Sequence, residues 1–396
     1  MTRPLTIAAD SALLGNLARD SRSGNPHLRA EAARVEKAME EAGAVFLVSA
    51  HHIEELLSHG NDNVVTHRVA WLQARSILAT IRCYAGPVPG SVCDLLVSEL
   101  LVAAEAANAC ASTIRDRALA ARAIDFQTGA ALLAEYETFW PVLRGEYRAR
   151  AERSSAIAAI VQGNIPNVGN RRLKEFLGGS VRGPSEMAAR IASIEVTLGA
   201  DIAAKHDGNV SDPRALAAAF TGQIVREASF LNTASPDPVR DDLLRRGLNP
   251  DDLDPERRMV EMFDLLEFRT RVEVVAEYLP PDLPDMRNFA TLDRLPSWAI
   301  ERALRTYRQH RPKNPGSDLG DRHLACVAAY ADLTFVDRRT HEDFMRARRR
   351  EPRLAPILRR IEKSGNWTGF LRVLDRLVKG EGDSPDDPRS QRRRRG

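Results

Sequence analysis

The sequence predicts an α/β fold, a parallel sheet flanked by helices and interrupted by a large all-α insertion. Three observations carry that prediction. Two apolar runs near the start, LTIAA at 5–9 and AVFLVS at 44–49, have the length of buried strands, and each leads into a helical stretch. A third run, LTFV at 333–336, ends directly on Asp337 near the other end of the chain. Between 58 and 295 strand-like runs are nearly absent, and amphipathic, Ala-rich segments follow one another.

Taken in order, LTIAA ends on Asp10 and SALLGNLARD begins a helix. Glu31 to Ala42 is a polar, Ala-rich helix, and AVFLVS is the second strand with Ser49 as its following cap. HHIEELLSHG is a helix that turns Ile53, Leu56 and Leu57 inward, with Glu55 flanked by that apolar face and Glu54 outward. The alternation strand–Asp, helix, strand, helix–Glu predicts βαβ units. NDNVVTHRVAWLQARSILATIRCYA then reads as one amphipathic helix carrying Val65, Val69, Leu72 and Ile77. After a PVPG break come helical segments at 92–136, 142–161, 184–204, 213–232 and 255–279, with PPDLPDM as a non-helical connector. PSWAIERALRTYRQH at 296–310 returns the chain to the α/β part. GDRHLACVAAYADLTFVD, 320–337, predicts a short helix, a turn and the last core strand, and helices near 341–350 and 354–378 close the fold. The final GEGDSPDDPRSQRRRRG lacks hydrophobic residues and predicts disorder. The expected division is 1–57, 58–295 for the helical insertion, 296–378, and a basic tail at 379–396.

Composition bounds the function classes. Hydrophobic residues make up 43% of 396, enough for a sizeable core, and the formal net charge is only +3. The arginines are uneven, with Arg338–Arg339, Arg346–Arg350 and Arg392–Arg395 crowded near the C-terminus. Cys83, Cys93, Cys110 and Cys326 form no CxxC pair and are expected to be small buried hydrophobes in a reducing compartment. A signal peptide and a bilayer-spanning run are both missing from the pattern, so the expectation is a soluble, cytoplasmic chain. GxxxxGK[ST], GxGxxG, GxSxG and HExxH are absent, which leaves nucleotide-fold, serine-hydrolase and zincin readings without support.

Four carboxylates stand out. Asp10 and Asp337 follow predicted strands, Glu55 lies on the helix after the second strand, and Asp321 precedes Leu324 and Ala325 by one turn on the same face. Each has an ordinary alternative: a turn for Asp10, a solvated helix charge for Glu55, a cap for Asp321, a salt bridge to Arg338 for Asp337. Together, four like charges on one sheet edge are costly unless a cation neutralises them, and Mg²⁺ or Mn²⁺ suits an all-oxygen set. Such a site can activate water against a phosphodiester. Glu54 and Asp318 are the alternatives one turn away. Arg338 and Arg339, beside the last Asp, are candidates to touch a phosphate, whereas the clustered His51, His52, His59 and His67 read as surface or cap residues.

IAADSALL, VFLVSAHHIEELL and DRHLACVAAYADLTFVD together resemble the three signature stretches of the PIN-like nuclease family. The resemblance covers about 4–60 and 296–345. It implies a three-layer PIN-like fold and a metal-dependent, toxin-like ribonuclease whose acidic residues bind Mg²⁺ or Mn²⁺. Carried over, those residues are Asp10, Glu55, Asp321 and Asp337. Ala12 stands where the family often has Asn, and Phe335 where it often has Thr or Ser. The expected function is therefore a metal-dependent nuclease, an endoribonuclease in preference to a DNase. Asp10 and Asp337 would hold the metal, Glu55 and Asp321 would complete the site, and Arg338 and Arg339 would bind substrate. RNA is the expected partner, and the helical insertion would select substrate, contact a protein or self-associate. The alternative is a non-catalytic interaction protein with a degenerate PIN-like domain and a helical binding module.

Overall fold

The computed structural model describes residues 3–106, 108–161, 168–177, 184–205, 210–228, 235–283, 286, 289–309, 323–363 and 366–380. The chain opens with β1 (Leu5–Ala9), α1 (Ser11–Asp20), α2 (Pro26–Glu41), β2 (Ala44–Val48) and α3 (Ala50–Leu57), the expected βαβ unit. Ser49 caps α3, as its position after the strand predicts. Next come α4 (Asp62–Gln73), β3 (Leu78–Ile81), α5 (Val92–Glu105), α6 (Ala111–Ala121) and β4 (Ile124–Gln127). The helices α7 (Gly129–Glu137), α8 (Trp140–Val161), α9 (Pro184–Lys205), α10 (Pro213–Ala228), α11 (Pro238–Arg245) and α12 (Met259–Ala276) follow. Then α13 (Pro296–Tyr307), β5 (Leu333–Val336), α14 (Arg338–Arg350), β6 (Arg360–Lys363) and α15 (Trp367–Val378) complete the described chain.

The six strands form one sheet in the order β4-β3-β2-β1-β5-β6. Every pairing is parallel except β3 with β4. Neighbouring residues of the central strands serve two different cores, because side chains alternate across a sheet. Ile7, Ala9, Phe46 and Val48 join one core, closed by α1 to α4 and α15. Ala8, Val45, Leu47 and Ile81 join the other, closed by α5, α6, α12, α13 and α14. Both faces are covered, which is why β1, β2 and β5 read as unbroken apolar runs.

Two strands fall where the sequence predicts only helix, so 58–295 is not an all-helical insertion. β3 lies inside the stretch read as one amphipathic helix, and β4 lies inside the Ala-rich stretch 92–136. Leu78, Ala79, Thr80 and Ile81 are all buried, so β3 shows no period-two alternation, and so short a buried run fits a helical pattern equally well. β4 is an edge strand whose pairing is reinforced by Arg82, bonded to the Asp125 carboxylate at 2.7 Å. The purely helical part runs from α7 to α12. The segment 354–378 is likewise not one helix: β6 pairs in parallel with β5 before α15 begins. Of the predicted tail, 379–396, the residues from 381 onward lie outside the described residues.

The helical part is tied back to the sheet. Arg271 of α12 reaches the Glu301 carboxylate on α13 and lies 4.9 Å from the Trp298 ring centroid. On the same side, the buried Glu99 carboxylate accepts from the Ser297 N–H and hydroxyl at 2.8 Å each and from the Tyr330 hydroxyl at 2.6 Å. Burial raises that carboxyl to about 7. These bonds fix the start of α13 and the approach to β5. Cys110 departs from the buried-cysteine expectation: it is exposed before α6, where hydrogen bonds from Ser112 and Thr113 lower its thiol to about 6. Among the described residues no helix is long and apolar enough to cross a membrane.

The junction of α4 with α7 admits no side chain at Gly129, where a Cβ would stand 1.7 Å from the Leu72 carbonyl oxygen. Gly129→Ala must displace backbone, not a flexible side-chain end. It is expected to cost about 3 kcal/mol, read as a lower urea midpoint at unchanged slope.

Candidate functional site

Parallel pairing of β1 with β5 sets the carboxyl ends of two strands side by side. The ladder continues one step beyond them, with the Asp10 N–H donating to the Phe335 carbonyl at 3.0 Å. Asp10 and Asp337 therefore leave the sheet next to each other, and each begins a helix. Asp10 Oδ1 accepts from the Leu13 N–H at 2.6 Å, and Asp337 Oδ1 accepts from the Thr340 N–H at 2.6 Å. Both are N-caps, so the ordinary role of each is real. A cap occupies one carboxylate oxygen. Among the described residues, Oδ2 of either group accepts no hydrogen bond.

The third carboxylate arrives from α3. The Asp10 carboxyl is raised above its ordinary value, first by burial and then by the charges of Asp337 and Glu55, against the lowering effect of the Leu13 N–H. Asp10 thus feels the charge of both other carboxylates. Glu55 is buffered differently. Burial pushes its carboxyl up, but the hydrogen bond and charge of His51, 3.1 Å away, and the Ser11 hydroxyl outweigh it, and the net shift is downward. Arg68 adds a nearby positive charge, its Nη1 bonded to the Leu56 carbonyl at 3.0 Å. Gly15 leaves room for it, since a Cβ there would stand 3.0 Å from Arg68 Nη2.

His52 locks the frame. Its Nε2–H donates to the Ala9 carbonyl at 2.8 Å, and its Nδ1 accepts from the Ser49 N–H at 3.0 Å and from the Ser49 hydroxyl at 2.8 Å. Ala9 is an obligate acceptor and Ser49 N an obligate donor, so the tautomer follows from the partners. The ring joins the end of β1 to the start of α3 and so spaces Asp10 from Glu55. Beside it lies a cavity of about 10 Å³, lined by Asp10, His52, Leu324, Thr334, Asp337 and Thr340. The Thr334 hydroxyl is buried there without a hydrogen-bond partner among the described residues. The space is that of about one water molecule.

The structure brings together Asp10, Glu55 and Asp337 of the four predicted carboxylates. Asp321 and the alternative Asp318 lie outside the described residues. His323, two positions on from Asp321, sits edge-on to His51 with ring centroids 5.7 Å apart, on the Glu55 side of the crevice. Glu54 faces away, toward Arg150 at 3.6 Å. Arg338 turns to Glu342 at 2.8 Å and not to Asp337, and Arg339 is exposed beside it. Among the described residues no three His, Cys, Asp or Glu side chains converge closely enough to hold a metal ion. Sequence reasoning missed His51, His52, Arg68 and Thr334. The four-residue spacing of His51 and Glu55 was a usable signal, and Thr334 is the one polar residue in LTFV.

Comparison of the chain with family models, with curated proteins and with solved structures yields no match.

Burial lowers the His52 imidazole from 6.5 to about 4. The unfolded chain takes up this proton first, so the stability contributed by neutral His52 is complete above pH 6.5 and is lost as pH falls toward 4. The span corresponds to about 3 kcal/mol. Urea unfolding of His52→Gln is expected to show a flatter stability profile than the parent between pH 7 and pH 4.5.

Proposed function

We propose that this chain is a metal-dependent nuclease, an endoribonuclease of the PIN-like kind, working at the Asp10–Glu55–Asp337 edge with Mg²⁺ or Mn²⁺. The observation that supports the proposal is the placement of Asp10 and Asp337 at adjacent carboxyl ends of a parallel sheet, where Asp10 is raised first by burial and then by the charges of Asp337 and Glu55. The donor chemistry suits a hard cation, although the described residues alone do not close a metal-binding set and Asp321 would be needed to complete it. Asp10 and Asp337 keep an oxygen each beyond their caps, the donors are all oxygen, and the Thr334 hydroxyl lines the same cavity without a partner among the described residues.

Asp10 and Asp337 would hold the ion, and Asp321 would complete the set as the resemblance implies. A bound divalent ion would supply Lewis acidity toward the phosphodiester and a more acidic water. Glu55, fixed by His51, would orient the attacking water and accept its proton. Arg338 and Arg339 would draw the phosphate toward the crevice. The rigid β1–β5 pairing, with His52 beneath, would keep the carboxylates at fixed separation during turnover. The helical part, α7 to α12, would select substrate or contact a partner, and the expected setting is the cytoplasm.

A second reading, a non-catalytic interaction protein, is favoured by one observation. Phe335, at the position where a Thr or Ser would aid such a site, points away from the crevice and stacks on Phe370 with centroids 4.6 Å apart. The two readings separate on charge. Asn caps a helix as well as Asp does, so Asp337→Asn removes a ligand charge while keeping the cap.

The nuclease reading expects Mn²⁺-dependent cleavage of labelled single-stranded RNA, abolished by EDTA and reduced at least a hundredfold in Asp337→Asn. It further expects Mn²⁺ to raise the melting temperature of the parent, and Asp337→Asn to melt higher than the parent without metal yet respond little to Mn²⁺. Absence of both cleavage and thermal shift in the parent would transfer the assignment to the interaction protein.

A further inference from the structure

We infer that the outer face of α14 is a track for a nucleic-acid phosphate backbone that leads into the acidic crevice. The inference rests on the nuclease reading for what happens at the end of the track, not for the binding itself. α14 holds six arginines against two acidic residues in 13 positions, whereas the whole chain of 396 residues carries a net charge of only +3. The positive charge is therefore concentrated, not spread. Its buried side is Asp343, Phe344 and Ala347. At 3.6 residues per turn, Arg338, Arg339, Arg346 and Arg349 fall within about 100° of the opposite side.

The ordinary explanation covers only half of these residues. Arg348, Arg349 and Arg350 lie in the last turn, where cations complement the helix dipole. Arg338 and Arg339 occupy the first two positions, where a cation is disfavoured by the same dipole. Neither is consumed by the adjacent Asp337 cap: Arg338 goes to Glu342, and Arg339 has no partner among the described residues. Arg346, Arg348 and Arg350 also lack partners among the described residues, and Arg349 donates only to the Met345 carbonyl of its own helix. Arg339, Arg348, Arg349 and Arg350 are exposed and Arg346 is half-buried, and guanidinium groups held outside ion pairs on one helix suit a polyanion.

The register of the helix gives the track its direction. Asp337 is the N-cap of α14, so the stripe begins one residue from the candidate site and runs outward for about 18 Å. That length matches about five stacked nucleotides of one strand. A strand lying along it would present one phosphodiester to Asp10 and Asp337, with the rest held by arginine. Single-stranded nucleic acid is the occupant because the basic stripe, interrupted at Glu342, starts beside the candidate phosphodiester site.

The test uses the full chain and the triple variant Arg339→Gln, Arg346→Gln, Arg349→Gln, with binding of a labelled 20-nucleotide RNA followed by anisotropy in EDTA across 50–300 mM KCl. The variant is expected to bind at least tenfold more weakly at 100 mM KCl, with a log–log salt slope shallower by about 2. Equal binding by single-stranded DNA of the same sequence would support the same phosphate track. Unchanged affinity and slope in the variant, or no binding by the parent, would overturn it. Displacement of RNA by polyglutamate as effectively as by unlabelled RNA would also overturn it, assigning the face to acidic peptides. Mn²⁺-dependent cleavage run in parallel separates the two claims. Binding losses without cleavage by the parent would retain the track and remove the nuclease. Cleavage by both proteins with the same KM would retain the nuclease and remove the track.

Discussion

Parallel hydrogen bonding between β1 and β5 is the constraint on which the rest of this site depends. The Asp10 N–H to Phe335 carbonyl bond extends that pairing past the end of β1, so the chain stays paired with β5 up to Asp10. Asp10 and Asp337 each then start a helix, α1 or α14, and the two carboxylates face the same crevice because their strands run in the same direction. An antiparallel neighbour would have sent the second carboxylate to the opposite edge. His52 extends the logic to β2, since its bond to the Ala9 carbonyl fastens the start of α3 to the end of β1. Glu55, one turn on, is carried to the same place.

What was legible in the sequence follows from how each signal arises. β1, β2 and β5 were legible because each is a short apolar run followed at once by a cap residue: Asp10, Ser49 and Asp337. The carboxylates at strand ends were legible for the same reason, since they are caps in sequence terms before they are anything else. β3 was not, because LATI is buried on both faces and carries no alternation, and the Ala-rich residues around it favour helix. β4 was not, because IDFQ is an edge strand held by pairing with β3 and by Arg82, a partner 42 or more residues away in sequence. The His52 bridge was illegible because burial, not residue type, makes it structural. Among nearby histidines, only contact with Ala9 distinguishes it from His59 or His67.

The carboxylates divide into two electrostatic kinds. Glu55 has its charge answered within the protein, chiefly by the hydrogen bond and charge of His51, and its carboxyl moves down despite burial. Among the described residues no cation lowers Asp10, and its carboxyl moves up, chiefly through burial. The fold could have answered it with Arg338, the residue next to Asp337, yet that side chain turns to Glu342. Positive charge is thus present within reach of the pair and is held outside it.

Capping alone does not account for this arrangement. A helix start is served equally by Ser, Thr or Asn, and Ser49 and Asn366 do that work elsewhere in this chain. Those caps add no charge. At Asp10 and Asp337 the chain uses the charged form of the cap at two adjacent strand ends, each facing a third carboxylate, and the second oxygen of each is left over. Placing arginine at the first two positions of α14, against the helix dipole, adds a second local cost beside the first. Two unfavourable choices on either side of one crevice, one negative inside and one positive outside, have a common explanation if a cation fills the interior and a phosphate chain lies along the rim. The caps themselves stabilise α1 and α14, so what binds there is sought to explain only the crowding of the carboxylates and the arginines set against the dipole.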